Sequence, residues 1–254
     1  TITHIITANQ HNIAGAIVAL DRVKIEQQRP FSIKEALENI AGINVVGEDV
    51  FSTHLNIGMR GLDPRRSSRT LLMEDGMPLF LAPYGDPSAH YSPPLDNMQY
   101  IEVVKGAGQV LNGPQTIGGM INFVTLPVPD NGISGALNAE VGENDFRSYY
   151  ARLGMGNSDG GVLLSAVNKN GNGIRTDHSM SLSDHSIKGS WHINNQHHIT
   201  AKYAQFEEDS HISETGLSEA EFAQNPFQAP TGSIDRFIQQ RDTLHIIHDF
   251  NINK

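Results

Sequence analysis

The chain has no cysteine, which removes thiolate nucleophiles, disulfide staples and cysteine zinc sites while leaving the compartment open. It also lacks any excess of cation. Its 18 Lys and Arg stand against 28 Asp and Glu, a formal charge of −10, so no surface is built to neutralise phosphates and nucleic acid is not an expected partner. No apolar run approaches the ~20 residues of a membrane-spanning helix. The first residues, TITHIITANQH, lack the basic region and apolar core of a secretory signal, so the chain is expected to be cytoplasmic or already processed. Missing helices do not exclude a membrane, because barrel strands hide their apolar face in every second residue, compatible with a mean hydropathy of −0.32.

Local catalytic signatures are missing too. There is no HExxH and no GxSxG. Gly106-Ala107-Gly108 follows a strand-like run, but the third glycine of a dinucleotide fingerprint is misplaced. Gly108 to Gly113 has P-loop spacing, yet Pro114-Gln115 stands where Lys and Ser/Thr are required, so these glycines read as tight turns. His178, His185, His192, His197, His198 and His211 cluster in the second half without a metal-ligand pattern. Neighbours such as His197 and His198 point to opposite faces of a strand, which favours lumen lining or loop solvation.

With 254 residues, 38% hydrophobic and 18% charged, the chain has room for one large or two modest domains. Residues 1–30 form a lead with an apolar stretch, IAGAIVAL, and no strong cap. Ser32 then stands three residues before Glu35, and Ile33, Ala36, Leu37 and Ile40 recur on one helical face before Gly42. INVV (43–46) and LNIGMR (55–60) read as strands. Asp75-Gly76 between apolar runs signals a hairpin. A second helix is expected near Pro94–Met98, followed by the strands YIEVVK and MINFVT (120–125). Alternating helices and strands up to about residue 126 give a small α/β domain, closed by the linker LPVPDNG.

After residue 132 the helical period disappears. Ile133, Gly135, Leu137, Ala139 and Val141 alternate with Ser134, Ala136, Asn138 and Glu140, and Ile187, Gly189, Trp191 and Ile193 with Ser186, Lys188, Ser190 and His192. A membrane barrel carries this alternation apolar side out, whereas a soluble sandwich carries it apolar side in. Short links (157–161 and 194–196) alternate with long ones (171–184 and 209–239), as in barrels with short periplasmic turns and long outer loops. About six strands of ~10 residues can be drawn, too few to close a wide barrel. The chain therefore reads as the amino-terminal part of something longer.

Three segments carry a family resemblance: NIGMRG (56–61), LLMEDGMPL (71–79) and IEVVKGAGQVLNGPQTIGGMINFVT (101–125). In order and spacing they resemble the signature segments of TonB-dependent outer-membrane receptor plugs, and the preceding IKEALENIAGINVV resembles the family's first plug helix. RGLDPRRSSRTLLMEDGMPLFLAPYGDP and GLSEAEFAQNPFQAP (216–230) are similar to the ferric dicitrate branch. The resemblance implies an α/β plug domain followed by antiparallel transmembrane β-barrel strands, the amino-terminal part of a barrel of ~22 strands with a plugged lumen. It divides the chain into a lead with the TonB box (1–20), the plug (21–130) and a partial barrel (131–254). It implies a multi-pass protein of the bacterial outer membrane that imports a ferric chelate, is energised through TonB and contacts outer-membrane lipid. No enzymatic activity and no cofactor are expected, the iron being carried as cargo in its chelate. The alternative is a soluble or surface β-rich carbohydrate-binding or adhesive protein. No periplasmic signalling domain is visible ahead of the plug, so transcriptional signalling is not expected.

The resemblance and the charge pattern together name candidate residues. LDPRRSSRT puts Arg65, Arg66 and Arg69 within five residues of an otherwise acidic chain. Guanidinium forks match carboxylates, so these three, with Tyr84, Asp86, Ser88 and His90 of the second apical segment, are expected to bind an anionic chelate. Asp86 stands where the ferric citrate branch prefers a neutral amide, and is expected to face Arg65 or Arg66 as an internal partner. Ile2, Thr3, His4, Ile5, Ile6, Thr7 and Ala8 form the expected TonB-contacting box, a β-prone stretch able to pair with a sheet edge. Arg60 and Lys105 are expected to be buried cations locking plug to barrel, with Glu140 as a carboxylate partner. Lys105 replaces the arginine usual in the family's VVRG segment, which removes a bidentate fork.

Overall fold

The computed structural model describes residues 16–81, 86–87, 91–106, 117–212, 216–232 and 235–251. The chain divides into two compact units, Thr1–Leu126 and Pro127–Lys254. In chain order the first carries β1 (Ala16–Asp21), α1 (Arg22–Gln28), α2 (Ile33–Glu38), β2 (Ile43–Gly47), β3 (Leu55–Met59), β4 (Thr70–Glu74), β5 (Met77–Pro78), β6 (Phe80–Leu81), β7 (Asp86–Pro87), β8 (Met98–Lys105) and β9 (Gly119–Thr125). The main sheet has the order β1-β8-β9-β4-β5, with β4 and β9 parallel and its other pairs antiparallel.

The local chemistry explains most of these elements. Ser32 Oγ accepts from Glu35 N at 3.4 Å while the Glu35 carboxylate accepts from Phe31 N at 2.7 Å, and α2 buries Ile33, Ala36 and Leu37. Strands β4 and β9 are buried along their whole length, so Leu71, Leu72, Met73, Met120, Ile121 and Phe123 read as apolar runs rather than alternation. The Asp75-Gly76 hairpin forms as expected, with φ +48° and +80° at its two central residues. Two expectations need correction. The lead is not without structure: β1 pairs antiparallel with β8 as an edge strand, and Asp21 caps α1 by accepting from Lys24 N at 2.8 Å. The helix expected near Pro94–Met98 is a single 3-10 turn, Leu95–Asn97, because Met98 already enters β8 with its side chain fully buried.

The second unit is an antiparallel meander: β10 (Gly132–Val141), β11 (Arg147–Asn157), β12 (Gly160–Asn172), β13 (Ser179–His192), β14 (His197–Ile212), then a short helix α3 (Glu219–Gln224) and β15 (Asp235–Phe250). Its two faces differ in kind. The exposed face carries Leu137, Leu153, Leu164, Ile187, Tyr203 and Leu244, between 41% and 84% exposed. The opposite face is buried and mixed, with Tyr150, Val167, Phe206 and Ile247 beside Ser148, Asp184, Lys188, Lys202 and Glu208. Apolar outside and polar inside is the pattern of a barrel wall in lipid. His192, itself exposed, and half-buried His198 stack on the side opposite the apolar face with ring centroids 4.3 Å apart, while His197 and His248 meet on the apolar side, Nδ1 to Nε2 at 2.9 Å.

The link expected to run long from 171 to 184 spans only residues 173–178, because β12 and β13 continue with polar residues on the exposed face. There Asn168, Asn170, Ser181 and Ser183 break the apolar alternation by which the strands were legible.

Candidate functional site

The arginine loop connects the end of β3 to the start of β4, and its course is set by buried groups beneath it. Gly58 lets the chain fold back, since a Cβ there would lie 2.3 Å from the Leu62 carbonyl oxygen. Ser67, fully buried, donates from Oγ to Leu55 O at 3.1 Å and accepts from Ile57 N at 3.0 Å; Thr70 Oγ1 donates to Ile57 O at 3.0 Å. Arg66 N donates to the Asn56 side chain, which in turn donates to Glu48. Arg66 and Ser67 adopt φ of +55° and +49°, a kinked turn that residues other than glycine seldom take. The result is a backbone held firmly while Arg65, Arg66 and Arg69 stay exposed. Among the described residues, no carboxylate pairs with any of the three.

Register brings the second apical segment to the same end of the sheet. Pro78 pairs with Met73 and Leu79 N donates to Leu72 O at 2.9 Å, so the chain after β5 runs back toward Thr70, where the arginine loop ends. Strands β6 and β7 then pair, Leu81 opposite Asp86, and β7 packs on β4. A third connection arrives there as well: Gly118 N donates to Arg69 O and Gly106 N to Gly118 O, both at 2.8 Å. The described ends of three connections therefore lie at one end of the sheet, beside the arginine loop. Tyr84, Ser88 and His90, and the box from Ile2 to Ala8, lie outside the described residues, and of Asp86 only the backbone pairing is described.

Within the first unit taken by itself, Arg60 is exposed and Lys105 half-buried. Arg60 sits at φ +55° just past β3, and its guanidinium lies over Gly106, where a Cβ would come within 2.8 Å of Nη1. Lys105 Nζ donates to the Ala41 carbonyl oxygen at 2.7 Å, which takes one of the three donors of its ammonium. Glu140 is exposed on β10.

One organised feature escaped the sequence reading. GLSEAEFAQNPFQAP contains α3 with a full capping box, Ser218 and Glu221, and the S-x-x-E spacing could have revealed it. Glu221 accepts from Ser218 N and Oγ and from Thr231 N, each at 2.7 Å, while Thr176 N donates to Phe227 O at 2.9 Å and ties this loop to the 173–178 link. Hydrogen bonds from Thr231 and then Ser218 hold the Glu221 carboxyl at about 2, below its ordinary value of 4.5. A depressed carboxyl stabilises above its unfolded pKa and loses that contribution as pH falls through the folded one. The hydrogen bonds that hold the loop are therefore expected to persist down to pH 4.5 and to be lost toward pH 2, and Glu221→Gln to remove that pH dependence; the amide chemical shifts of Ser218 and Thr231 read both. Burial, aided by Arg175, lowers the His178 pKa in the neighbouring link. Among the described residues, no three His, Asp or Glu side chains are spaced to hold a metal ion.

Comparison with known proteins places this geometry. A profile described as TonB-dependent Receptor Plug Domain matches residues 9–120. The vitamin B12 transporter BtuB of Vibrio vulnificus (strain YJ016) is 26% identical over 162 residues, covering 62% of this chain and 23% of that protein. The unliganded ferric citrate transporter FecA superposes with a TM-score of 0.79 at 26% identity, over 94% of this chain and 38% of its own. The siderophore receptor PirA from Acinetobacter baumannii shares the fold, with a TM-score of 0.68 at 16% identity, over 94% of this chain and 38% of its own. The chain spans about a quarter of the length of the curated relatives it matches. These relatives are transporters and receptors rather than enzymes, and a plug ahead of barrel strands does not favour an adhesive or carbohydrate-binding protein. With the plug profile over residues 9–120, the three signature segments and the barrel-type strands in one continuous order, the chain carries the plug domain of TonB-dependent receptors followed by strands similar to those of a ferric citrate transporter.

Proposed function

We propose that the receptor sits in the bacterial outer membrane and imports an anionic ferric chelate, ferric citrate or a close relative, with energy delivered through TonB. The observation that carries this reading is the arginine loop: three exposed guanidinium groups on a rigid backbone, in a chain of formal charge −10. A local reversal of field of this kind selects an anion, and guanidinium forks engage carboxylates two bonds at a time. Similarity to a ferric citrate transporter supports citrate, while relatives named for vitamin B12 supply no reason for such a cationic loop. Tyr84, Ser88 and His90 are proposed to complete the site, with Asp86 facing an arginine. The chelate is cargo, and no chemistry is done on it. Titrating ferric citrate onto the full-length receptor tests the proposal: affinity that falls with added salt supports it, and no binding at low salt removes citrate as the ligand.

Uptake needs a grip for TonB, proposed at Ile2 to Ala8. An extended segment added to a sheet edge binds through backbone N–H and C=O groups, so it tolerates side-chain change but not proline. Ile6→Pro is expected to abolish energised uptake while ligand binding at the cell surface stays intact; normal uptake by this variant rejects the box. The lock proposed for Arg60, Lys105 and Glu140 is tested by Arg60→Glu, expected to raise antibiotic leakage and protease sensitivity of the plug. Unchanged leakage and protection would remove Arg60 from that role.

A further inference from the structure

Strands β2 and β3 are joined by residues 48–54, a connection closed around one carboxylate. Asp49 Oδ1 accepts from His54 N at 2.7 Å, and Oδ2 accepts from Phe51 N at 3.1 Å and from Thr53 Oγ1 at 2.9 Å. Glu48 N donates to His54 O at 3.1 Å, and a Cβ on Gly47 would lie 2.6 Å from Ser52 Oγ. This tight closure holds Glu48 beside β3, where its exposed carboxylate accepts from Asn56 Nδ2. Asn56 itself is buried, and its Oδ1 accepts from Arg66 N. An amide offers one oxygen and one NH2 group, a carboxylate only accepts and a backbone N–H only donates. Both neighbours therefore require the same orientation of the Asn56 side chain.

What this amide holds is a backbone that residues other than glycine seldom adopt twice in succession. Arg66 and Ser67 lie at φ +55° and +49°, and such left-handed residues persist where their surroundings over-determine them. Ser67 is fixed by its own buried hydroxyl, through Leu55 O and Ile57 N. Arg66 has an exposed side chain, and its backbone is tied to β3 through Asn56. Arg65 N is held within the loop, by Asp63 Oδ1 at 3.0 Å. The direction in which the Arg66 guanidinium leaves the chain, and with it the spacing from Arg65, therefore depends on a hydrogen bond to a residue ten positions upstream.

We propose that Asn56, oriented by Glu48, is the positioning residue that makes the arginine loop selective: it sets the spacing of Arg65 and Arg66. The loop then prefers carboxylates held at fixed separation, as a metal chelate holds them, over the same carboxylates on a flexible acid, which must be ordered on binding. The inference rests on the arginine loop being the anion site. Calorimetry on the full-length receptor, with ferric citrate and with metal-free citrate, tests it. Asn56→Leu keeps a buried side chain of similar size but removes the acceptor. It is expected to weaken ferric citrate binding roughly tenfold and metal-free citrate less, so that the ratio of the two affinities falls. Asn56→Asp alone sets two carboxylates face to face and should weaken binding as well. Adding Glu48→Gln to it exchanges donor and acceptor between positions 48 and 56 while keeping the acceptor for Arg66 N, and should restore affinity to within about threefold of the parent. In a receptor already carrying Arg65→Ala and Arg66→Ala, Asn56→Leu should cost nothing further, because it acts through those guanidinium groups. The same loss in that background, parent affinity and ratio in Asn56→Leu, or no recovery by the exchanged pair overturns the proposal. Binding that needs the arginines but ignores Asn56 overturns this inference alone, whereas a parent that binds no ferric citrate, or binds it equally without the arginines, overturns the reading beneath it.

Discussion

Replacing Arg65 and Arg66 together by alanine is expected to weaken ferric citrate binding to the full-length receptor by roughly a hundredfold or more, since charge-assisted hydrogen bonds contribute about 1.5–3 kcal/mol each. The salt dependence of the remaining binding should flatten as well, because two of the charges that sense ionic strength are gone. The backbone reasons for expecting a clean loss are specific. The loop is held by Ser67, Thr70 and Asn56 through backbone contacts, so truncating exposed side chains above it leaves its course intact. Lysine at both positions separates charge from shape: it restores the field but offers no planar fork, and should recover the salt slope with only part of the affinity. Isothermal titration of the three proteins at several salt concentrations gives the answer. Equal affinity and equal slope in parent and alanine variant would take these arginines out of the site, and ligand recognition would then fall to the outer loops.

How much of this was legible beforehand depended on whether a residue's neighbours were near in sequence. The cap at Ser32, the Asp75-Gly76 turn and the apolar runs of β4 and β9 are local signals, and each formed where the residues say it should. Strand β1 was not legible because IAGAIVAL has no alternation. It is an edge strand whose partner, β8, lies some eighty residues on, and only that pairing fixes it. The Pro94–Met98 segment misled for the opposite reason, a good local helix start overruled by the demand that Met98 be buried in the sheet. In the strand meander, alternation ended where the apolar face ended, so the strands read too short and the link after β12 too long. The spacing of Arg65, Arg66 and Arg69 is visible in the sequence. That they stay exposed on a loop pinned from below depends on Ser67 and Asn56 reaching back to β3, which no spacing rule encodes. The bond from Lys105 Nζ to the Ala41 carbonyl oxygen joins residues 64 positions apart, which charge pattern alone does not name.

The far end of the plug sheet should respond most strongly to the loss of Asp75. Its carboxylate accepts from Thr125 N at 2.8 Å and from Thr125 Oγ1 at 2.6 Å, and its own N–H donates to Phe123 O at 2.9 Å, so it clasps the hairpin after β4 to the end of β9. Next to it Asn122 accepts from Gly76 N and donates to Glu102, both at 2.9 Å, and the Asn122 and Glu102 side chains are buried. Asp75→Ala removes the acceptor from two buried donors and leaves a residue at φ +48° that alanine takes less readily than Asp or Asn, for an expected cost of about 2–5 kcal/mol. Asp75→Asn keeps an acceptor for the Thr125 amide and tolerates the same backbone, so it should cost far less. Because a plugged barrel does not unfold as one unit, the readout is local: hydrogen exchange of the Gly76 and Thr125 amides in the full-length receptor. Exchange roughly a hundredfold faster is expected in the alanine variant at these two positions, with little change around Ser67 at the opposite end of β4. If both amides stay as protected in Asp75→Ala as in the parent, the clasp is not what holds this end of the plug. If Asp75→Asn is as damaging as alanine, the charge rather than the acceptor geometry is what matters.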